Sequence, residues 1–197
     1  AMQQMCGIDH PLFGGIFARE IHDAPTEDRP ARIALSDFVH LGVEFELALE
    51  IAEDLPPGDA PWTAERARAV VAAARPAFEL IEDRAADYAA LDPATMVADN
   101  AWCGGVVLGP KLPEGLDVSA LPSRLLQDGQ AEEGNTAAAA PYDSLAAVLE
   151  HLRRRGETAR AGEIVITGSA LRTRFPAAGA TLAYEVAGAA VRMETTP

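Results

Sequence analysis

A strict alternation of apolar and polar residues from Val43 to Ile51 is the clearest pattern in the chain. The apolar positions are Val43, Phe45, Leu47, Leu49 and Ile51, and between them lie Glu44, Glu46, Ala48 and Glu50. Alternation with period two predicts a β-strand that has one apolar face and one polar face. A cluster of turn-forming residues at 54–61 ends this predicted strand.

Further strands are predicted from short apolar runs that are bounded by turn residues. They cover residues 31–35, 77–83, 102–108, 162–168, 180–186 and 189–194. Within the run 77–83, Phe78 and Leu80 should face the core, so Glu79 should lie on the opposite face of that strand.

A first helix is predicted after the turn cluster. Thr63 is a suitable N-cap, and the alanine-rich run 64–75 follows it. Because the residue before a proline is disfavoured in a helix, this helix should stop before Pro76.

A second helix is predicted from about Asp143 to Arg155, with Asp143 or Ser144 as its cap and Gly156 as its stop. Residues 109–140 are predicted to be irregular, since they contain several prolines and a tract of small residues. Together the patterns predict one α+β domain over residues 1–197, in which strands dominate the core.

The charge balance narrows the range of partners. Lys plus Arg total 16 and Asp plus Glu total 30, which gives a formal net charge of −14. A surface this acidic repels phosphate backbones, so no nucleic-acid partner is expected. No run approaches the ~20 apolar residues of a membrane helix, and the first residues do not have the pattern of a secretion signal. We therefore expect neither membrane insertion nor secretion.

Cysteine and histidine show no metal-site or disulfide pattern. Cys6 and Cys103 are far apart and lack CxxC spacing, and the histidines form neither an HExxH nor an HxH motif. Two reduced thiols are typical of a reducing compartment, so a cytoplasmic location is expected.

Glu44 and Glu46 are the first candidates for a metal site. Side chains at positions i and i+2 of a strand point to the same side and lie about 6.5–7 Å apart, so these two carboxylates can converge on one cation. A solvated strand face often carries the same Glu-x-Glu pattern. The pair by itself therefore also fits an ordinary exposed face.

A third carboxylate favours the metal. Glu79 lies inside an apolar run, where a glutamate is disfavoured in a strand and needs a partner when it is buried. Three carboxylates without His or Cys prefer a hard divalent cation, Mg²⁺ or Mn²⁺. The open coordination positions could accept the carboxylate and keto oxygens of a small 2-keto acid, whose enolate the metal would stabilise.

Four stretches of the chain carry a resemblance to a known family. They are AMQQMCGIDHPLFGGIF, then GVEFELALEIAEDLP, then RPAFELIEDR with VADNAWCGGVVLG after it, then ARAGEIVITGS. Together they span nearly the whole chain, which resembles the 2-keto-4-pentenoate hydratase and 4-oxalocrotonate decarboxylase group of the fumarylacetoacetate hydrolase superfamily.

The resemblance implies a fold and a ligand set. The implied fold is a mixed β-roll of the fumarylacetoacetate hydrolase C-terminal-domain type, with a few peripheral helices. The implied cofactor is Mg²⁺ or Mn²⁺, held by Glu44, Glu46 and Glu79.

The resemblance also implies residues around the pocket. Asp99 and Asn100 match an Asp-Asn turn that helps to shape the pocket. Thr167, Gly168 and Ser169 match a Thr-Gly-Ser segment that lies near the substrate. A turn that simply ends a strand is the alternative interpretation of this segment.

The chain departs from the family pattern at several positions. Family members carry a Lys-x-Gly-Leu-Thr segment just before the part that matches residues 1–5, whereas Lys111, the only lysine, lies in a proline-flanked loop that does not match it. Either the sequence omits a mobile N-terminal region or a pocket residue is lacking. Asp83 stands at a usual serine, and Trp102 and Cys103 replace small residues and could narrow the pocket.

The implied activity is a metal-dependent hydratase, a hydro-lyase that adds water at C4 of a 2-hydroxy-dienoate or its 2-keto tautomer in aromatic-compound breakdown. The general base stays open between a carboxylate, for which Asp83 and Asp99 are candidates, and a metal-oriented water.

Three alternatives accompany this hypothesis. One is decarboxylation of 4-oxalocrotonate through the same electron sink, and another is a non-catalytic partner subunit. Hydrolysis of a carbon–carbon bond would need a His-Glu pair near the metal, and no histidine is placed for it in the sequence. The expected assembly is a homo-oligomer, alone or complexed with a related decarboxylase or hydratase.

Overall fold

The structure, a computed structural model, describes residues 7–23 and 29–197, so Cys6 lies outside the described residues. The strands in these ranges are β1 (Ile21–Asp23), β2 (Ala31–Ala34), β3 (Leu41–Ile51), β4 (Val71–Glu82), β5 (Cys103–Leu108), β6 (Pro122–Gln127), β7 (Gln130–Asn135), β8 (Ile164–Ile166), β9 (Thr181–Val186) and β10 (Ala189–Thr196). The α-helices are α1 (Ala64–Ala69), α2 (Pro93–Ala98) and α3 (Pro141–Arg155).

Two five-stranded sheets form the framework. Their strand orders are β1-β5-β4-β3-β8 and β2-β10-β9-β6-β7. The apolar faces of the two sheets share one core, where Phe45 of β3 lies 5.8 Å from Phe78 of β4 and 5.8 Å from Tyr184 of β9, measured between ring centroids. The other face of the first sheet points away from this core and carries the polar residues of β3.

The predicted strand at 43–51 is confirmed and is slightly longer than expected, because it begins at Leu41. Val43, Phe45, Leu47 and Leu49 are all buried against the second sheet. Period-two alternation therefore assigned both the strand and its two faces correctly.

The predicted helix over 64–75 is wrong in its second half. Thr63 does cap the helix, since its Oγ1 accepts a hydrogen bond from the Arg66 N–H, but α1 ends at Ala69. Val71 then starts β4, whose first residues pair with the end of β3. Alanine favours a helix locally, but the ladder bonds and burial that β3 provides outweigh this preference.

Pro76 lies inside β4 without breaking it. The Gly109 N–H, just past the end of β5, donates a 2.8 Å hydrogen bond to the Pro76 carbonyl. In an antiparallel strand the N–H and C=O of one residue point to the same side, so the missing N–H of Pro76 faces the point where β5 has ended. A proline is tolerated where no ladder bond is required from it.

Two other predictions need correction. Residues 109–140 are not irregular throughout, because β6 and β7 form an antiparallel hairpin there, with Ser123 and Leu125 facing the core. Helix α3 begins at Pro141, after Ala140 in a left-handed conformation, and neither Asp143 nor Ser144 caps it. In the described ranges, no helix is long and apolar enough to cross a membrane.

Candidate metal centre

Three glutamates converge on the polar face of the first sheet. One carboxylate oxygen from each of Glu44, Glu46 and Glu79 lies within 4.8 Å of the other two. The register of β3 and β4 places Glu44 opposite Glu79 and Glu46 opposite Ala77. Because Ala77 carries only a methyl group, the Glu46 carboxylate has space to turn towards Glu79. We refer to the three residues as the carboxylate triad.

The triad is largely withdrawn from water. Glu46 is 2% exposed and Glu79 is 9% exposed, while Glu44 is partly exposed and marks the open side. Burial raises the pKa of the Glu46 carboxyl well above its usual range, and the charges of Glu79 and Glu44 raise it further. Burial raises the pKa of Glu79 to about 7, and the charge of Glu44 adds to the effect. Carboxylates in such a site need a proton or a cation between them.

The surrounding protein groups donate to the triad without neutralising it. The Gly168 N–H donates to Glu46 Oε2 at 2.8 Å, and the Thr173 hydroxyl donates to Glu44 Oε1 at 2.6 Å. No Lys, Arg or His of the described residues forms a salt bridge with the three glutamates. Oxygen donors that are buried together without a cationic side chain match the preference of a hard divalent ion, so the site fits Mg²⁺ or Mn²⁺.

The chain after β8 carries the predicted Thr-Gly-Ser segment along the outer edge of β3. The Ala170 N–H donates to the Phe45 carbonyl at 2.8 Å, and Ser169 Oγ accepts the Phe45 N–H at 2.8 Å. Thr167 Oγ1 donates to the Leu47 carbonyl. Gly168 adopts a φ of 102°, which a residue with a side chain rarely adopts. Of the three predicted residues, Gly168 contacts the triad, whereas Thr167 and Ser169 hold this segment against β3.

Asp83 lies at the end of β4 and is fully buried. Its Oδ1 is 2.6 Å from His40 Nδ1 and accepts the Ala85 N–H, and its Oδ2 accepts the Tyr88 hydroxyl at 2.5 Å. Burial acts to raise the pKa of Asp83, but the hydrogen bonds from Tyr88, His40 and the Ala85 N–H lower it below its usual value. Asp83 is therefore an ionised carboxylate that holds its neighbours in place.

The side chains of Asp99 and Asn100 both form hydrogen bonds with other segments of the protein. The Arg84 guanidinium donates to both carboxylate oxygens of Asp99. Asn100 clamps Gly15, since its Oδ1 accepts the Gly15 N–H at 2.7 Å and its Nδ2 donates to the Gly15 carbonyl at 2.8 Å. A side chain at Gly14 would lie 2.5 Å from the Asn100 carbonyl oxygen, so this close approach requires glycine.

Trp102 and Cys103 follow on the same segment. Trp102 is buried and packs edge-on against Tyr88, with 5.4 Å between ring centroids. The Cys103 thiol lies beside Glu79, and burial together with the charge of Glu79 raises its pKa. Cys103 therefore lies beside the triad itself, and Trp102 lies beside Tyr88, which donates to Asp83.

Three contributing residues were missed by sequence reasoning. His40 precedes Glu44 by four residues, so strand alternation places both side chains on the same face. This spacing could have identified His40 from the sequence. Thr173 and Tyr88 have no comparable local signal, because only tertiary contacts bring them to Glu44 and Asp83.

Cavity size does not identify this site. A cavity of the described chain has a volume of about 480 Å³, and Asp99, Asn100, Trp102 and Cys103 are among the residues that line it. None of the three glutamates does. The convergence and burial of the carboxylates, rather than the size of a cavity, mark the candidate centre.

The chain is similar in sequence to several characterised proteins. No family model matches the chain. The chain is 33% identical over 179 residues to a 2-keto-4-pentenoate hydratase of Burkholderia vietnamiensis, a match that covers 86% of this chain and 63% of the relative. It is also 33% identical over 141 residues to a 4-oxalocrotonate decarboxylase of a Pseudomonas species, covering 70% of this chain and 54% of the relative.

A solved structure shares the fold. The structure of 4-oxalocrotonate decarboxylase from Pseudomonas putida, complexed with magnesium and adipate, superposes with a TM-score of 0.85 at 22% identity, and the match covers 98% of this chain and 73% of that one. The predicted mixed β-roll fold is confirmed by this likeness.

Proposed function

Since this chain is a homologue of 2-keto-4-pentenoate hydratases and 4-oxalocrotonate decarboxylase, as its sequence motifs predicted, we propose that it is a metal-dependent hydro-lyase. The chain spans about 63% of the length of the hydratase it matches. The proposed reaction adds water to a 2-hydroxy-dienoate or its 2-keto-4-enoate tautomer. The observation that carries the proposal is the convergence of three carboxylates, two of them buried, on one sheet face.

The proposed ligands of Mg²⁺ or Mn²⁺ are Glu44, Glu46 and Glu79. When bound, the ion would supply Lewis-acid polarisation of the keto oxygen. Glu46 and Glu79 form the closed side of the site, and Glu44 forms the side from which a small 2-keto acid can approach.

Neighbouring groups keep the ligands in position. The Gly168 N–H and the Thr173 hydroxyl each occupy one oxygen of a glutamate and so limit its rotation. Hydrogen bonds of this kind around a metal site orient the ligands. We propose that Thr167 and Ser169 act through Gly168, by holding its segment against β3.

The two candidate general bases differ in their surroundings. Asp83 already accepts three hydrogen bonds, which favours a positioning role for it. Asp99 is engaged by Arg84, and Asn100 by Gly15, so we propose that these two residues shape the pocket. Of the two alternatives for the general base, these contacts favour a water held at the open side of the triad over either aspartate.

Loss of the ultraviolet absorbance of 2-hydroxypenta-2,4-dienoate tests the proposal. With Mg²⁺ or Mn²⁺ present the absorbance should fall, and chelation of the ion should stop the change. An absorbance that stays constant in the presence of the ion would overturn the proposed hydratase activity.

The second candidate function is decarboxylation of a 4-oxalocrotonate-type 2-keto acid, which the 33% identity to a decarboxylase supports. Release of carbon dioxide from 4-oxalocrotonate, without loss of the dienoate, would favour it. Inactivity with both substrates would favour a non-catalytic partner.

The proposed setting is a cytoplasmic homo-oligomer, alone or with a related decarboxylase or hydratase. A free Cys103 thiol is in keeping with a reducing compartment. Light scattering of the purified protein measures the assembly.

A further inference from the structure

Four rings cluster around Asp83 at the end of β4 and form what we call the aromatic rim: His40, Phe175, Tyr88 and Trp102. The His40 ring stacks on the Phe175 ring at 4.6 Å between centroids, and the Tyr88 ring meets Trp102 edge-on at 5.4 Å. Asp83 joins the two pairs, because one of its oxygens lies 2.6 Å from His40 Nδ1 and the other accepts the Tyr88 hydroxyl.

The rim lies on the same face of the sheet as the triad. Leu41 pairs with Glu82 at the end of the ladder, and His40 and Asp83 are the next residues along the two chains, in the same alternation as Glu44 and Glu79. Four residues along a strand, the spacing of His40 and Glu44, correspond to about 13 Å.

Two contacts tie the rim to the open side of the triad. Thr173, which donates to Glu44, precedes Phe175 by two residues. A side chain at Gly42, two residues before Glu44 on the same strand face, would meet both Thr173 Cγ2 and Phe175 Cε1 at 3.2 Å, so the Phe175 ring lies one same-face position from Glu44. A molecule bound at Glu44 therefore has the rim as its neighbour.

The rim presents apolar surface to solvent. Tyr88 is 42% exposed and Phe175 is 47% exposed, which is unusual for rings of this size. Gly42 allows the Phe175 ring to lie close to the sheet, since a side chain at this position would meet the ring carbon Cε1 at 3.2 Å.

The charge of the rim is negative or balanced rather than positive. The Asp83 carboxylate is buried against it, with Oδ1 2.6 Å from His40 Nδ1. The arginines that adjoin Asp83 and Phe175 in sequence are already paired: Arg84 with Asp99, and Arg174 with Glu132. A second carboxylate placed beside Asp83 would meet its negative charge, and neither of these two arginines is free to offset the repulsion.

We propose, on the basis of the function proposed above, that the aromatic rim binds the part of the substrate beyond its 2-keto acid end. It favours an uncharged tail, which stacks on the exposed rings, over a tail that ends in a carboxylate. The rim residues thus determine specificity, while the triad and its ion hold the common 2-keto acid group.

Calorimetry with three unreactive 2-keto acids tests the inference in the presence of Mg²⁺. Pyruvate has no tail, 2-oxohexanoate has an uncharged tail, and 2-oxoadipate has the same carbon chain ending in a carboxylate. Burial of three carbon groups should make 2-oxohexanoate bind about tenfold tighter than pyruvate or better. 2-Oxoadipate should bind at least about tenfold more weakly than 2-oxohexanoate.

Substitutions locate the effect on the rim. Phe175→Ala and Tyr88→Ala should remove most of the preference for 2-oxohexanoate over pyruvate, whereas Tyr88→Phe, which keeps the ring, should retain this preference. Leu126→Ala is the control, because Leu126 is 40% exposed and lies on β6 of the second sheet.

The possible outcomes separate the two proposals. Absence of pyruvate binding with Mg²⁺ present would count against the proposed function itself. Three outcomes would overturn the rim proposal alone: pyruvate binding with no preference for 2-oxohexanoate, a preference for 2-oxoadipate, or equal losses in Leu126→Ala and Phe175→Ala.

Discussion

Glu44 and Glu79 lie directly opposite each other on the neighbouring antiparallel strands β3 and β4. Like charges in this arrangement destabilise a sheet, and Glu46 adds a third carboxylate on the same face. The folded chain can keep these side chains together when a proton or a divalent cation separates their charges. The behaviour of the protein towards metal and pH should follow from this relationship.

Replacing Glu46 with Gln should weaken metal binding strongly and leave the fold intact. The amide keeps the shape of the side chain but not its charge, and even outer partners of metal ligands are worth about 10–100-fold in affinity. We expect calorimetry with Mn²⁺ to show a loss of at least about tenfold, together with loss of turnover. The unfolding temperature of the metal-free protein should stay the same or rise, since the amide needs neither a proton nor a cation to be buried beside the other two carboxylates.

Glu50→Gln is the control for this substitution. Glu50 lies on the same face of β3 but pairs with Lys111 at 2.9 Å, outside the triad. The Glu50→Gln variant should bind Mn²⁺ with the same affinity as the wild-type protein. Wild-type metal affinity in Glu46→Gln would show that the ligand assignment is wrong.

The stability of the metal-free protein should fall as pH rises from about 4.5 to 7, the range between the ordinary pKa of a glutamate and that of Glu79. Here the folded state holds a proton that the unfolded state has released, so the free energy of unfolding decreases with pH. Each such proton contributes up to about 1.4 kcal/mol per pH unit. Urea unfolding at several pH values measures the slope.

Saturating Mg²⁺ should remove this decline, because the ion takes the place of the proton, and Glu79→Gln should flatten it without metal. A metal-free stability that increases across the same pH window would contradict the raised pKa values of the buried glutamates.

Thr173→Val should weaken metal binding although Thr173 is not a proposed ligand. Valine keeps the shape of the side chain but cannot donate to Glu44 Oε1, and loss of such an orienting hydrogen bond costs about 10–100-fold in metal affinity. Thr181→Val, at an exposed position of β9, serves as the comparison. Equal metal affinities in the two variants would argue against an orienting role for Thr173.

Asp83→Ala should lower the free energy of unfolding by about 2–3 kcal/mol, because hydrogen bonds to a buried charged group are worth about this much. The loss should be largest near neutral pH and should shrink in acid. Because the pKa of Asp83 is lower in the folded state than in the unfolded state, its contribution to stability is present above the pKa of the unfolded state. The contribution disappears as the pH falls through the pKa of the folded state. Chemical unfolding at neutral and acidic pH measures both values.

Asp87→Ala provides the reference for this loss, since Asp87 is exposed and caps a single short turn. We expect it to cost about 1 kcal/mol or less. A similar cost for both aspartates would mean that the network around Asp83 adds little stability.

Local sequence was sufficient for the strand of the triad and for its orientation. In the run from Val43 to Ile51, apolar and acidic residues alternate, so their faces follow from strand geometry alone. Glu79 could be assigned in the same way from its neighbours Phe78 and Leu80, both of which are buried.

Local sequence was misleading where tertiary pairing outweighs propensity. Residues 71–75 read as a helix, yet the edge of β3 draws them into β4. Residues 122–135 read as irregular, yet the hairpin of β6 and β7 pairs with β9 and buries Leu125. In both cases the stabilising partner lies elsewhere in the chain.

The sequence by itself therefore determined which carboxylates are present and which way each one points, because side-chain direction in a strand depends only on the residues next to it. Only the tertiary structure decided that Glu44 faces Glu79, that Thr173 reaches Glu44, and that Asp83 joins His40 to Tyr88. These relationships depend on strand register and on contacts between segments up to 129 residues apart. Such contacts are set by burial of the whole core, which no local pattern contains.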